Sequence, residues 1–173
     1  MKIPQPLLAA ATIAVCSALT LVVTARSEDA KAAEVANVAA LKPYDEAADA
    51  KRDIDDALAA AKKSGKSVLL VFGANWCGDC KVLDAELKRE KVDHLVRDHS
   101  HVVKVDVGRF NRNLDIVNRY EPSLLKKGIP AVVLLDADGK VKRRTVDGEL
   151  SDARKMGSDA IGAFIAGMLG KAK

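Results

Sequence analysis

Five consecutive apolar residues, Val68-Leu69-Leu70-Val71-Phe72, lead through Gly73-Ala74-Asn75 into Trp76-Cys77-Gly78-Asp79-Cys80-Lys81. A helical pattern follows at once, with Cys80, Leu83 and Leu87 on one side. A continuous apolar run of this length suits a central strand buried on both faces. The small residues after it turn the chain, so that Cys77 falls at a helix N-terminus. Unpaired backbone N–H groups and the positive dipole end favour a thiolate there. A free thiol titrates near pKa ~8.5, and sites of this kind lower it to roughly 3.5–7.5. Cys80 lies one turn further on, close enough to close a small ring with Cys77. In such a pair one thiol attacks and the other resolves.

The rest of the chain supplies a frame around that unit. Ala47, Ala50, Ile54, Ala57, Leu58 and Ala61 recur at helical spacing and stop at Ser64-Gly65-Lys66. Val92, Leu95 and Val96 continue the cysteine helix or follow a kink. Val102, Val103, Val105 and Val107 predict a strand, and Leu114, Val117 and Tyr120 a short helix ended by Pro122. Ala131 to Leu135 reads as a second buried strand. Asp136-Ala137-Asp138-Gly139 is a hairpin turn into Val141 to Val146, where Lys142, Arg143 and Arg144 place the strand near an edge. A last helix runs through Ala153, Met156, Ala160, Ile161, Phe164, Ile165 and Met168. The order α-β-α-β-α-β-β-α contains two helical crossovers, which imply parallel strands, and one tight hairpin, which implies an antiparallel pair. The fold class is therefore α/β, a mixed central sheet with helices on both faces.

Ahead of this frame the character of the chain changes. Lys2 is the only charge before Arg26, and Leu7 to Val23 is almost wholly apolar. Val23-Thr24-Ala25 offers small residues at the spacing a signal peptidase reads. Residues 1–25 are a signal peptide or an N-terminal membrane anchor, the run being short for a span that takes about 20 residues. Residues 26–43, rich in Ala, Lys and Glu, form a linker, and residues 44–173 the folded domain. The address expected is a periplasm or another exported location. Cys16 lies within the apolar run after a bulky Val15, a poor fit to a lipid-bearing cysteine, and would be lost with the signal peptide.

Charge and cysteine usage narrow the function classes. With 28 basic and 24 acidic residues in 173, and no basic stripe interleaved with aromatics, nucleic acid is not an expected partner. Three cysteines are too few for a disulfide-stapled scaffold, so Cys77 and Cys80 point to chemistry. Half of a zinc site is the other use of Cys-x-x-Cys. A closed zinc site needs about four ligands, and no second cysteine pair exists. His94, His99 and His101 could be imagined as the remainder but read as surface residues near a helix end and a strand start.

Trp76-Cys77-Gly78-Asp79-Cys80-Lys81 after a buried strand resembles the active site of the thioredoxin superfamily, and Gly128-Ile129-Pro130 resembles that family's cis-proline loop. The likeness spans about residues 44–170. It implies a thioredoxin fold whose first strand, if present, is short and near Lys42 to Glu46. It implies a thiol–disulfide oxidoreductase of the exported kind, with Cys77 as nucleophile and Cys80 as resolving thiol. The redox-active disulfide would serve in place of a cofactor, with no metal. Trp76, Ile129 and Pro130 would contact substrate, the last two through a cis peptide bond beside the cysteines. Gly78 and Asp79 would modulate the site, and Gly148 resembles the glycine near the substrate groove. Partners would be proteins bearing disulfides or thiols, with a membrane thiol reductant as donor. A non-catalytic binding module, or a metal or folding chaperone using the same groove, is the alternative.

Two positions depart from cytoplasmic thioredoxins. Their buried acid, six positions before the first cysteine, is Val71 here, and their proline before the second cysteine is Asp79. A carboxylate in a first helical turn suits the helix dipole but disfavours a neighbouring thiolate. Asp79 is thus expected at the active-site surface, keeping Cys77 less acidic than the helix end alone would make it. No inserted helical subdomain separates Val107 from Pro130, unlike the dedicated disulfide-introducing oxidases. The pattern is closer to exported thioredoxin-like domains, including the C-terminal domain of the membrane reductant transporter.

Overall fold

The computed structural model describes residues 37–171, and Val38–Lys173 forms one compact unit. The apolar N-terminal segment, Cys16 and residues 26–36 of the linker lie outside the described residues. Helix α1 (Ala50–Ser64) starts where the Asp49 side chain accepts from the Arg52 N–H. It ends at Gly65, whose left-handed φ of 72° lets its N–H reach the Ala61 carbonyl. Strand β1 (Ser67–Gly73) follows, then α2 (Gly78–Leu87), α3 (Glu90–His99) and β2 (Ser100–Asp106). Two short helices, α4 (Leu114–Tyr120) and α5 (Leu124–Lys127), lead to β3 (Ala131–Leu135) and β4 (Val141–Arg144). A 3-10 turn (Ala153–Lys155) precedes α6 (Ser158–Met168).

The sheet order is β2-β1-β3-β4, a mixed sheet with β1 in the interior and β4 at an edge. Successive side chains of β1 point to opposite faces. Val68, Leu70 and Phe72 join one core cluster with Ile54 of α1, Tyr44, Cys77 and Cys80. Leu69 and Val71 join another with Leu83 and Leu87 of α2, Val96 of α3, and Ile161 and Ile165 of α6. Burial on both faces is why the run carries no alternating polar residue.

The direction of β3 departs from the parallel pairing expected of the second crossover. β2 runs parallel to β1, but β3 pairs antiparallel with β1, Phe72 opposite Ala131 and Val68 opposite Leu135. The connection from Val107 to Pro130 is made of two short helices and stays at the end of the sheet where β1 and β2 finish. The chain therefore re-enters from that end and must run backwards. This reversal brings the residues before β3 beside the residues after β1.

Other boundaries shift for local reasons. No strand forms at Lys42 to Glu46 among the described residues. Pro43 offers no N–H, and the backbone of Tyr44 is taken up by a side chain instead: its N–H donates to Asn75 Oδ1 (3.0 Å) and its carbonyl accepts from Asn75 Nδ2 (2.8 Å). Val92, Leu95 and Val96 belong to a separate helix, because Arg89 is extended (φ −65°, ψ 135°). The last helix is interrupted at Met156 and Gly157, both extended, so Ala153 sits on the 3-10 turn. Strand β4 stops at Arg144, two residues short of Val146, whose N–H turns to the Glu149 carboxylate.

Candidate active site

Cys77 is the N-cap of α2, extended at φ −82° and ψ 113°, and its Sγ accepts from the Cys80 N–H at 3.1 Å. This is the bond a cap oxygen ordinarily accepts, so the sulfur stands where the orphan N–H groups of the helix converge. Cys77 and Cys80 form a disulfide. They differ in access: Cys77 is 5% exposed and Cys80 0%.

The reversed β3 delivers the second half of the site. The Ile129–Pro130 peptide bond is cis, both residues are buried, and the Ile129 carbonyl lies 3.7 Å from Cys77 Sγ. Gly148 holds the same loop from behind. Its φ is +73°, and a Cβ there would stand 2.8 Å from the Lys127 carbonyl oxygen, so both backbone conformation and space call for glycine.

Trp76 forms the outer wall. It is 48% exposed, and its Nε1–H donates to the Gly108 carbonyl at 2.8 Å. Phe110 meets the indole edge-on with ring centroids 6.0 Å apart, and the Arg109 guanidinium lies 5.8 Å from the indole centroid. Phe110 adopts φ 60°, a conformation uncommon for a bulky side chain. The loop is pinned around it, Asn111 and Arg112 N–H groups donating to the Val107 carbonyl and Arg109 N–H to Asn111 Oδ1. An open hollow of about 360 Å³ lies alongside, lined by Asn75, Trp76, Gly108, Arg109 and Arg112 among others.

Asp79 is not at the surface. It is 7% exposed, accepts from the Arg154 N–H at Oδ1 (2.9 Å) and faces the Arg154 guanidinium at Oδ2 (3.1 Å). The reason is steric as well as electrostatic: the 3-10 turn packs on α2, with the Arg154 Cδ 3.1 Å from where a Gly78 Cβ would be. The pairing raises the Arg154 pKa above its ordinary value, first through the hydrogen bond and then through the charge of Asp79. The carboxylate beside the cysteines thus carries its own counter-ion.

Behind Cys80 the site is closed by Tyr44, 4% exposed. Burial, and then the charges of Asp84 and Asp106, push its pKa well above the ordinary 10.0. Asp84 is ion-paired with Lys88 (2.9 Å) and Lys104, and Asp106 with Arg112 (3.2 Å). Val71, at the position of the thioredoxin acid, is in the apolar cluster on the other side of the sheet.

The sequence pattern located Trp76, Cys77, Cys80, Ile129 and Pro130, and the structure brings these five together. Tyr44, Asn75, Phe110, Arg109 and Arg154 were not singled out from the sequence. The turn-rich string Gly108-Arg109-Phe110-Asn111-Arg112-Asn113 was the signal available for two of them, and Tyr44, one of two tyrosines, for a third. The histidines are dispersed: His94 is exposed, His99 bonds to the Leu95 carbonyl, and His101 to Ser64 Oγ.

A family model of thioredoxin-like proteins matches residues 49–137. Among solved structures, a disulphide isomerase from Xylella fastidiosa Temecula1 is 48% identical. The match covers 75% of this chain and 98% of that one, with a TM-score of 0.71. A DsbH oxidoreductase is 26% identical over 67% of this chain and 81% of its own, with a TM-score of 0.47.

Proposed function

The chain belongs to the thioredoxin-like family, and from that premise we propose that it is a thiol–disulfide oxidoreductase acting as a reductase on protein disulfides outside the cytoplasm. The observation that carries the reading is the placement of Cys77 Sγ at the start of α2, 3.7 Å from the carbonyl preceding the cis-proline. A nucleophilic sulfur and an extended backbone edge are then side by side. An incoming peptide can pair with that edge as an added strand while its disulfide meets the sulfur.

In the reduced protein, Cys77 thiolate attacks one sulfur of the substrate disulfide. The substrate S–S bond breaks, one substrate sulfur leaves as a thiolate, and a mixed disulfide forms on Cys77. Cys80 then attacks Cys77 Sγ, the second substrate sulfur leaves, and Cys77–Cys80 closes. Two electrons have passed to the substrate. A thiol donor, a membrane reductant in the simplest arrangement, returns the pair to the dithiol. The apolar run Leu7 to Val23 supports an exported or periplasmic setting, cleaved or anchored.

Isomerisation is the second reading, favoured by 48% identity to a protein described as a disulphide isomerase. It needs only that the mixed disulfide be attacked by another substrate thiol before Cys80 resolves it. The test is turnover of a disulfide-bonded protein with a dithiol donor, alongside recovery of a scrambled one. Turnover lost in Cys77→Ala supports the reductase. Recovery without net reduction supports the isomerase. Binding without either assigns a non-catalytic module or a chaperone.

A further inference from the structure

Gly73, the last residue of β1, lies between Tyr44 and Cys80. A Cβ at Gly73 would stand 2.2 Å from the Tyr44 hydroxyl oxygen and 3.0 Å from Cys80 Sγ. The hydroxyl and the sulfur thus both lie within 3.0 Å of one point, and only the absence of a side chain at Gly73 leaves that space to the tyrosine. The tyrosine is held there at both ends. Its ring is in the core cluster of Phe72 and Cys80, and its backbone N–H and carbonyl are both bonded to Asn75, two residues before Cys77.

We propose that Tyr44 is a positioning residue for the resolving step, its hydroxyl donating a hydrogen bond to the Cys80 sulfur as that sulfur becomes a nucleophile. The proposal rests on the oxidoreductase reading and adds a residue to it. Cys80 is wholly buried, and burial disfavours a thiolate. A hydroxyl turned to that sulfur as it ionises offsets the penalty, because hydrogen bonds to a charged acceptor are the strong ones. Tyr44 is suited to donate and not to remove the proton, since burial and the carboxylates of Asp84 and Asp106 keep the phenol protonated. In the step itself, Cys80 attacks Cys77 Sγ of the mixed disulfide, the Cys77–substrate S–S bond breaks and the Cys77–Cys80 bond forms. The proton of the Cys80 thiol ends on the released substrate sulfur. Tyr44 gains and loses nothing.

The charged groups around this pair are Asp84 on α2, with Lys88 and Lys104, and Asp106 on β2, with Arg112. Glu46 accepts from Asn75 Nδ2 at 3.0 Å on the exposed side. All of these stay in place when the hydroxyl alone is removed. The experiment loads the full chain with a peptide as a mixed disulfide on Cys77 and follows peptide release against pH, in wild type and Tyr44→Phe. The expected result is a release rate roughly tenfold slower, the loss of one hydrogen bond to a charged group, and a rate profile displaced to higher pH. Formation of the mixed disulfide in Cys80→Ala, with and without Tyr44→Phe, should be unchanged. Equal release rates and profiles in wild type and Tyr44→Phe overturn the proposal while leaving the oxidoreductase reading intact. Failure of Cys77 to form any mixed disulfide overturns both. Should Tyr44→Phe melt at a lower temperature, a slower release with no displacement in pH marks a packing effect and also overturns the proposal.

Discussion

Arg154 grips Asp79 at two points, the backbone N–H on one carboxylate oxygen at 2.9 Å and the guanidinium on the other at 3.1 Å. A turn 75 residues away in sequence therefore sets the charge felt next to the cysteines. Removing the cation leaves a buried carboxylate near the Cys77 sulfur without its partner. Like charges disfavour the thiolate. Arg154→Gln should raise the Cys77 thiol pKa and lower the reduction potential, making the protein the stronger reductant. Asp79→Asn in the same background should reverse both changes. Thiolate absorbance against pH and equilibration with glutathione measure the two quantities; an unmoved pKa in Arg154→Gln would show that the pair does not reach the sulfur.

The two cysteines should be separable by trapping. Cys77 caps the helix and is the less buried of the two, whereas Cys80 has no exposed surface. Cys80→Ala should accumulate an adduct at Cys77 with a disulfide-bonded peptide, and Cys77→Ala should accumulate none. Mass spectrometry of the two variants decides it.

Gly148 should tolerate no side chain. Alanine there must hold a left-handed backbone, at about 1–2 kcal/mol, and press on the Lys127 carbonyl 2.8 Å away. Gly148→Ala should lower stability in denaturant by at least that amount. Because the pressed segment leads to Ile129 and Pro130, the Michaelis constant for a protein substrate should rise more than the turnover number falls.

Alkaline pH should distinguish Tyr44→Phe from wild type by stability. The folded pKa of Tyr44 is raised above its ordinary 10.0. The unfolded chain therefore releases that proton first, and the associated stability is fully present below pH 10.0 and lost as pH rises beyond it. Phenylalanine has no proton to release. Between pH 10 and 12 the unfolding free energy of wild type should fall more steeply than that of the variant, the slopes agreeing below about pH 9. Parallel slopes throughout would contradict the buried phenol.

What could be read from the residues alone was the local part. The run Val68 to Phe72, the cysteine spacing and Gly128-Ile129-Pro130 are contiguous strings whose meaning depends on their neighbours. The direction of β3 depends on where a connection of 24 residues, from Val107 to Pro130, returns to the sheet, and no periodicity encodes that. Asp79 departs from its expected place at the surface for a related reason. Its sequence neighbours make it a first-turn acid, and only the docking of Ala153–Lys155 buries it. Tyr44 was visible as a rare aromatic, but its role needed the space at Gly73, which appears only once β1 and the segment after Pro43 are side by side.

The Asn75 clamp on Tyr44 bears on where this redox unit can be cut. The family match opens at residue 49, and helix α1 at Ala50. Both landmarks invite a recombinant fragment starting there, and both leave Tyr44 behind. Such a fragment would keep every strand and both cysteines, yet lose the ring that backs Cys80 and the backbone partner of Asn75. By this measure the shortest faithful piece begins no later than Tyr44, ahead of both landmarks.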